Sequence, residues 1–190
     1  MIKMAVSKIF REFSYFMITI MNKIRYGNKL KVDGMFRKRF DTQILISDSG
    51  KMQFGKKVSF QRNISLTSVG GTMDIGSYVS FNRNCIAICR KEITIKDHVI
   101  FGPGVTIYDH DHKFSDRGIL PGFNHGSVII EEGCWVGANV TILRNTHIGE
   151  GCVIGAGAIV QGDIPAHSLV TSDRTLNIVP IRKNERKSSW

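Results

Sequence analysis

An aliphatic residue returns every six positions through the stretch from Ile130 to Pro165, and this repeat constrains the fold more than any other feature. The repeating residues are Ile130, Val136, Ile142, Ile148, Ile154 and Val160, and the residues three positions after them are Gly133, Asn139, Asn145, Gly151, Gly157 and Asp163. Gly, Asn and Asp adopt the left-handed backbone conformation at the lowest cost. The pattern therefore predicts a sharp corner once every six residues, which makes a triangular coil.

The same period governs the chain before this stretch, in three groups of three aliphatic or aromatic residues. These groups are Phe54, Phe60 and Leu66; Ile75, Phe81 and Ala87; and Ile95, Phe101 and Ile107. Such a six-residue period predicts an all-β fold, a parallel β-helix with three short strands in each turn. Seventeen extra residues, 113–129, interrupt the period and are predicted to form a long loop, and loops of this length are usually functional.

The N-terminal residues 1–27 are predicted to form a short amphipathic helix, because their apolar residues recur at spacings of three and four. Two interpretations of this helix stay open. It covers the open end of the repeat array, or its apolar face lies in a membrane surface while Lys and Arg face anionic headgroups. No segment approaches the roughly 20 apolar residues of a membrane span.

The net charge of +10 is concentrated at the ends of the chain: residues 1–40 contain ten Lys or Arg and two acidic residues, and a basic tail is predicted over 171–190. Because the repeat region itself is close to neutral, nucleic-acid binding is not expected.

The four cysteines, Cys85, Cys89, Cys134 and Cys152, lack zinc-type spacing and are predicted to be buried, reduced thiols. A cytoplasmic location is therefore expected.

The candidate catalytic residue is His112, where the chain leaves the third regular coil for the long loop. His98 and His110 occupy the corner position of their repeats and are predicted to be turn residues. His112 is outside that pattern and stands beside Asp109 and Asp111. An imidazole titrates near neutral pH and suits a general base when a carboxylate or carbonyl fixes its tautomer.

The repeats of residues 136–141 and 148–158 resemble those of the left-handed β-helix acyltransferases. This resemblance implies a left-handed parallel β-helix over residues 28–170 and a homotrimer with active sites between subunits. Counted from Gly102-Pro103-Gly104, His112 matches the catalytic histidine of the galactoside and maltose O-acetyltransferase branch. The implied activity is acetyl transfer from acetyl-CoA to a sugar hydroxyl of a surface-polysaccharide precursor, without a metal.

Further site residues follow from the same resemblance. Ser80-Phe81-Asn82-Arg83-Asn84 is similar to the stretch whose asparagine positions the acceptor hydroxyl, which implies Asn82, and Asp109 is expected beside the acceptor. Cys134-Trp135-Val136-Gly137-Ala138 resembles the stretch whose tryptophan lines the acyl tunnel. Trp135 and Gly137 are thus expected at the acyl group, and the Ala138 amide is expected to donate to the thioester oxygen.

The expected coenzyme A groove includes Gly155 and Ala156, where small residues allow close approach to the backbone. After Pro165 the chain departs from the branch, which usually continues to a Gly-x-Pro turn and a basic residue. The phosphates are therefore expected to contact other basic residues, namely Arg174, Arg182 and Lys183.

Two alternatives stay open at this point. A γ-class carbonic anhydrase would hold zinc between subunits, and His110, His112 and His147 are the candidate ligands. A non-catalytic scaffold or binding subunit is the second alternative, and the altered segment after Pro165 is the argument for it.

Overall fold

The computed structural model describes residues 2–35, 37 and 41–172, with side chains from residue 12 onwards. In these residues an N-terminal helix, α1 (Ile2–Tyr26), leads through a 3-10 turn (Gly27–Lys29) into nineteen strands. The strands, in chain order, are β1 (Leu30–Val32), β2 (Gln43–Ser47), β3 (Lys51–Phe54), β4 (Ser59–Phe60), β5 (Ser65–Val69), β6 (Thr72–Ile75), β7 (Ser80–Phe81), β8 (Ile86–Cys89), β9 (Glu92–Ile95), β10 (Ile100–Phe101), β11 (Thr106–Tyr108), β12 (His110–Ser115), β13 (Gly118–His125), β14 (Ser127–Ile130), β15 (Trp135–Val136), β16 (Thr141–Ile148), β17 (Val153–Ile154), β18 (Ile159–Ile164) and β19 (Leu169–Val170).

The strands wind into a parallel β-helix of about six turns, as the six-residue period predicts. Its first face stacks β1, β3, β6, β9, β14 and the second half of β16. The second face stacks β2, β5, β8, β11 and the first half of β16, while β18 extends both faces. The third face stacks β4, β7, β10, β15, β17 and β19.

The predicted inward residues form the core, because parallel pairing in register stacks equivalent positions of successive coils. On the third face, for example, Phe81, Phe101 and Val136 follow one another in register. All fifteen aliphatic and aromatic repeat residues predicted from Phe54 to Val160 are buried. Each large apolar side chain contributes about 1.5–3 kcal/mol when removed from water, and the stacked rings of Phe81 and Phe101 lie 4.7 Å apart.

The predicted corners are left-handed at most positions. A positive φ is found at His98 (φ 60°) and at five of the six corners predicted after Ile130, namely Gly133, Asn139, Asn145, Gly151 and Gly157. The prediction is wrong for Asp163, since Gly162 takes the positive φ (90°) there instead. It is also wrong for His110, which lies in an extended strand and has no positive φ.

The helix α1 confirms the predicted N-terminal helix and packs across the first coil. Ile18 and Thr19 are buried against the β-helix. The Tyr26 hydroxyl donates to the carbonyl oxygen of Ile44 at 2.7 Å, and the Lys23 ammonium donates to the carbonyl oxygen of Val32 at 3.0 Å. No described helix has the length and apolar character needed to cross a membrane.

The predicted loop over 113–129 is an ordered excursion with different bounds. Strands β12 and β13 pair antiparallel as a two-stranded hairpin over 110–125, and the coil resumes at β14. The hairpin begins three residues earlier than predicted because His110 and His112 pair with His125 and Phe123.

The four cysteines are free and buried, as predicted, and desolvation by burial raises the pKa of the Cys85 thiol to about 11.

Candidate active site

Asp109 anchors the base of the hairpin from inside the β-helix. Its side chain is fully buried, and its carboxylate accepts hydrogen bonds from the backbone N–H groups of Arg90, Lys91 and Glu92 at 2.6–2.9 Å. It also lies 2.9 Å from Nδ1 of His110. A carboxylate has about four acceptor positions, so these partners leave the Asp109 carboxylate no free position for a substrate. The expectation that Asp109 contacts the acceptor is therefore corrected: Asp109 holds the turn before β9 and the His110 ring.

His112 is exposed on the hairpin and rests against Phe123. The two ring centroids lie 4.6 Å apart. The same aromatic cluster contains the Arg90 guanidinium, 3.9 Å from the Phe123 centroid, and the His110 ring at 5.3 Å. Among the described residues, the His112 ring makes no side-chain hydrogen bond. Packing on Phe123, rather than the carboxylate or carbonyl expected from the sequence, orients this imidazole.

Asp111 ties the other edge of the hairpin to the coil that follows it. Its carboxylate accepts from Nε of Arg144 at 2.5 Å and from Nδ2 of Asn124 at 2.8 Å. Desolvation raises the pKa of the Asp111 carboxyl, but the hydrogen bonds from Arg144 and Asn124 and the Arg144 charge outweigh it, so the pKa is lowered from 3.8. His112 therefore follows two anchored aspartates in the chain, the buried Asp109 and the ion-paired Asp111.

The residues expected around the acetyl group form a second cluster, at the corner that follows the third face. Equivalent residues of successive coils stack here in a column. In it, the backbone N–H groups of Asn82, Gly102 and Gly137 each donate a hydrogen bond to a carbonyl oxygen of the next coil. A Cβ on Gly102 would lie 2.7 Å from the Ala138 nitrogen, and one on Gly137 would lie 2.7 Å from the Ala156 nitrogen. Only glycine permits this close stacking of coils.

Two amide groups at this corner are available to a ligand. Among the described residues, neither the Ala138 N–H nor the Ala156 N–H donates a hydrogen bond. Gly155 lies in the same column, with its own N–H donating to the carbonyl oxygen of Val170. Within the described part of the chain, the exposed Asn82 side chain accepts one hydrogen bond, from the neighbouring Arg83 N–H at 2.8 Å. Its amide nitrogen can therefore still donate.

Trp135 lies on the outside of the third face with 55% of its surface exposed, while the preceding Cys134 is buried. Its register partner in the preceding coil is Ile100, which is also exposed. The indole thus extends an apolar surface that leads to the Ala138 corner. Such a surface can cover an acyl chain or a sugar ring.

The two clusters lie at different corners of the same prism. The second face separates them, since Asn82, Gly102 and Ala138 precede its strands and His112 follows β11. At about 3.3 Å per residue, the stretch from Gly104 to Asp109 spans about 16 Å. One chain by itself therefore does not bring His112 together with Asn82, Trp135 and Ala138.

Several residues of the hairpin cluster have no signal in the sequence. Arg90, Phe123, Asn124 and Arg144 reach the site only through the hairpin register and the stacking of coils. The predicted phosphate contacts Arg174, Arg182 and Lys183 lie outside the described residues and remain predictions.

The histidines weighed as metal ligands are dispersed within one chain. His147 lies on the first face, with Nε2 3.2 Å from the Glu131 carboxylate, and His110 is bonded to Asp109. Among the described residues, no group of three or more His, Cys, Asp or Glu side chains is arranged to hold a metal ion.

Comparison with known proteins agrees with this geometry. Residues 127–162 match the family described as bacterial transferase hexapeptide (six repeats). A galactoside O-acetyltransferase of Lactococcus lactis is 43% identical over 75 residues, which are 39% of this chain and 36% of that protein. The Escherichia coli K12 protein WbbJ, whose name assigns it to lipopolysaccharide biosynthesis as an O-acetyl transferase, is 29% identical over 136 residues, 66% of this chain and 69% of its own. The chain spans about half or less of the length of the first curated relatives.

Two solved structures share the fold. A hexapeptide-repeat acetyltransferase of Vibrio cholerae, solved with acetyl coenzyme A, superimposes with a TM-score of 0.56 at 30% identity, covering 60% of this chain and 63% of that one. A point mutant of AntD, an N-acyltransferase of Bacillus cereus solved with dTDP and coenzyme A, gives a TM-score of 0.66 over 87% of each chain. At 20% identity, the second likeness concerns the fold alone.

Proposed function

We propose that the chain transfers the acetyl group of acetyl-CoA to a hydroxyl group of a sugar. The match of residues 127–162 to the bacterial hexapeptide-repeat transferase family and the likeness to a hexapeptide-repeat acetyltransferase solved with acetyl coenzyme A support this reaction. The observation that carries the proposal is the exposed His112 imidazole, which packs on Phe123 in a hairpin that Asp109 and Asp111 anchor to the β-helix. The relatives named for galactoside and lipopolysaccharide acetylation favour a sugar acceptor, in particular a precursor of a surface polysaccharide.

The reaction proceeds by direct attack within a complex of both substrates. His112 removes the proton of the acceptor hydroxyl as its oxygen attacks the thioester carbonyl. The Ala138 N–H donates to the oxyanion that develops on that carbonyl. Collapse of the tetrahedral intermediate releases the CoA thiolate, which takes the proton from the His112 imidazolium, so that the products are the sugar acetate and CoA.

Asn82 and Trp135 complete the proposed site. The Asn82 side-chain amide donates to the acceptor and aligns its hydroxyl with His112, while Trp135 and Gly137 line the acyl group. Gly155 and Ala156 offer the coenzyme A pantetheine a backbone with little side chain in its path, and the exposed position of Ala156 supports this role.

The site requires three copies of the chain. If the second face of each prism points towards a threefold axis, the His112 corner of one copy meets the Asn82 and Ala138 corner of the next. The outward strand residues of this face support that arrangement because they carry no charge; they are Gln43, Leu45, Ser47, Ser65, Thr67, Val69, Ile86, Ile88, Thr106, Tyr108, Thr141, Leu143, Ile159 and Gln161. The outward residues of the first face include Lys51, Asp74 and Glu92.

Replacing His112 by Ala tests the proposal. Loss of a general base typically lowers turnover by about 10²- to 10⁴-fold, and the exposed position of His112 means that the fold and acetyl-CoA affinity should persist. The measurement is release of CoA with labelled acetyl-CoA and a panel of acceptor sugars, together with titration calorimetry of acetyl-CoA binding.

His147→Ala is the matched control, since His147 is an exposed histidine on the first face and its loss should leave turnover unchanged. His112→Ala turnover above about 1% of wild type would rule out His112 as the base. A wild-type chain that binds no acetyl-CoA would instead favour the non-catalytic scaffold.

A further inference from the structure

The helix α1 has two unlike faces, and the less apolar one contacts the β-helix. Ile18 and Thr19 are buried, the Asn22 side chain bonds back to the Ile18 carbonyl, and Tyr26 reaches Ile44. This inner face thus combines one aliphatic residue with hydroxyl and amide groups. A helix whose only role was to cover the open end of the core would direct its most apolar face inwards.

The outer face of α1 carries an apolar stripe made of five large side chains. They are 40% to 78% exposed and comprise Phe13, Phe16, Met17, Met21 and Ile24. Their spacing of three and four places them along one side of the helix, and Ile2, Val6, Ile9 and Phe10 continue the same spacing in the sequence. A contiguous exposed apolar surface of this kind is typical of a site that contacts a partner or a membrane.

Basic residues lie at the C-terminal end of the apolar stripe and just beyond it. Lys23 and Arg25 lie in the last turn of α1, and Lys29, Lys31 and Arg37 follow it, against Glu12 and Asp33. Beside the helix, Arg37, Lys56 and Lys57 line a depression of about 660 Å³ together with Tyr15 and the acidic Glu12 and Asp33. Residues 41–172 carry one net negative charge, whereas residues 1–40, the segment that contains the stripe, carry ten Lys or Arg against two acidic residues.

We propose that α1 lies in the surface of an anionic phospholipid membrane, with the apolar stripe among the acyl chains and the adjacent Lys and Arg at the headgroups. Charge decides between this occupant and a second copy of the chain. Another copy presents the same excess of positive charge and would repel the first, whereas anionic lipid neutralises it. This binding is separate from acetyl transfer and does not depend on it.

Vesicle co-sedimentation of the full chain tests the proposal. The chain should sediment with phosphatidylcholine vesicles that contain about 30% phosphatidylglycerol, and several-fold less with phosphatidylcholine alone, because the basic residues contribute to binding. Raising the salt concentration should weaken the binding, since salt screens these charges. Replacing both Met21 and Ile24 by Glu should lower the apparent affinity by about tenfold or more, as two exposed apolar side chains no longer enter the lipid.

The matched control is Ile119→Glu, which alters an equally exposed isoleucine on the distant hairpin and should leave lipid binding unchanged. Circular dichroism and thermal unfolding establish that the helix variant remains folded. Equal sedimentation of wild type and the folded Met21→Glu, Ile24→Glu variant would overturn the proposal. So would absence of lipid binding combined with a change of oligomeric state in that variant, which would identify a second copy as the occupant.

Discussion

At the residue scale, the Asp109 carboxylate contacts both the preceding coil and the first residue of the hairpin. Its carboxylate binds three consecutive backbone N–H groups of the preceding coil, which shapes the turn between β8 and β9. The same carboxylate accepts from Nδ1 of His110, because a carboxylate has no hydrogen of its own to donate when ionised. One buried side chain thus joins two coils and fixes the residue from which the hairpin starts.

Asp109→Asn should lower the free energy of unfolding by about 2–4 kcal/mol. The amide group has one acceptor oxygen and would place its NH₂ against backbone N–H donors that are then left unsatisfied. Urea unfolding followed by circular dichroism measures the change. Asp116→Asn, an exposed residue in the hairpin turn, is the control and should change little. Equal stability of the two variants would contradict the role given to Asp109.

The hairpin of β12 and β13 is the element that distinguishes this β-helix from a regular prism. Phe123 contacts both His110 and His112 from the opposite strand, so the register of the hairpin determines the position of the proposed base. A polar cluster connects the hairpin to the next coil: the Asp111 carboxylate accepts hydrogen bonds from Asn124 of the opposite strand and from Arg144 of β16. Since the folded pKa of Asp111 is lowered, the stabilisation from this cluster is present above about pH 4 and is lost as the pH falls through the folded value.

Arg144→Ala should loosen the hairpin without unfolding the β-helix. The ion pair is partly exposed, so the expected effect is modest: a rise of about two- to fivefold in the amide hydrogen-exchange rates of residues 110–125. Turnover should fall because His112 is less well positioned, while acetyl-CoA affinity is retained. Arg117→Ala, at the exposed hairpin turn, is the control. Unchanged exchange rates in Arg144→Ala would show that the cluster does not hold the hairpin.

The three faces of the whole molecule differ in their outer surfaces. Among the described strand residues, charged side chains are found on the first face, whereas the second face carries uncharged or apolar ones, including Ile159. The third face exposes Trp135, and its one charged outward residue in the described part is Arg37, which pairs with Ser59 at the first coil. Exposed apolar side chains on a regular prism are suited to pairing with other copies. This division agrees with the proposed trimer, in which the second faces meet and the third faces border the substrate grooves.

Ile159→Glu should convert the trimer to monomers, since it places a charge on each copy at the proposed axis. Sedimentation velocity measures the oligomeric state, and turnover should fall with it if the site is shared between copies. Gln53→Glu adds the same charge to the first face and should leave the trimer intact. A trimer that persists in Ile159→Glu would exclude the second face as the interface.

The sequence by itself determined the coil, the core and most corners of this protein. A residue such as Val136 or Asn139 has its role set by a local period, since each six-residue unit meets an almost identical unit above and below it. His112 could be singled out because it lies outside that period. The hairpin, the burial of Asp109, the outward direction of the apolar stripe and the Phe123 contact were decided only by the tertiary structure. Those features depend on pairings between residues far apart in the chain, such as Asp111 with Arg144, and no local spacing encodes them.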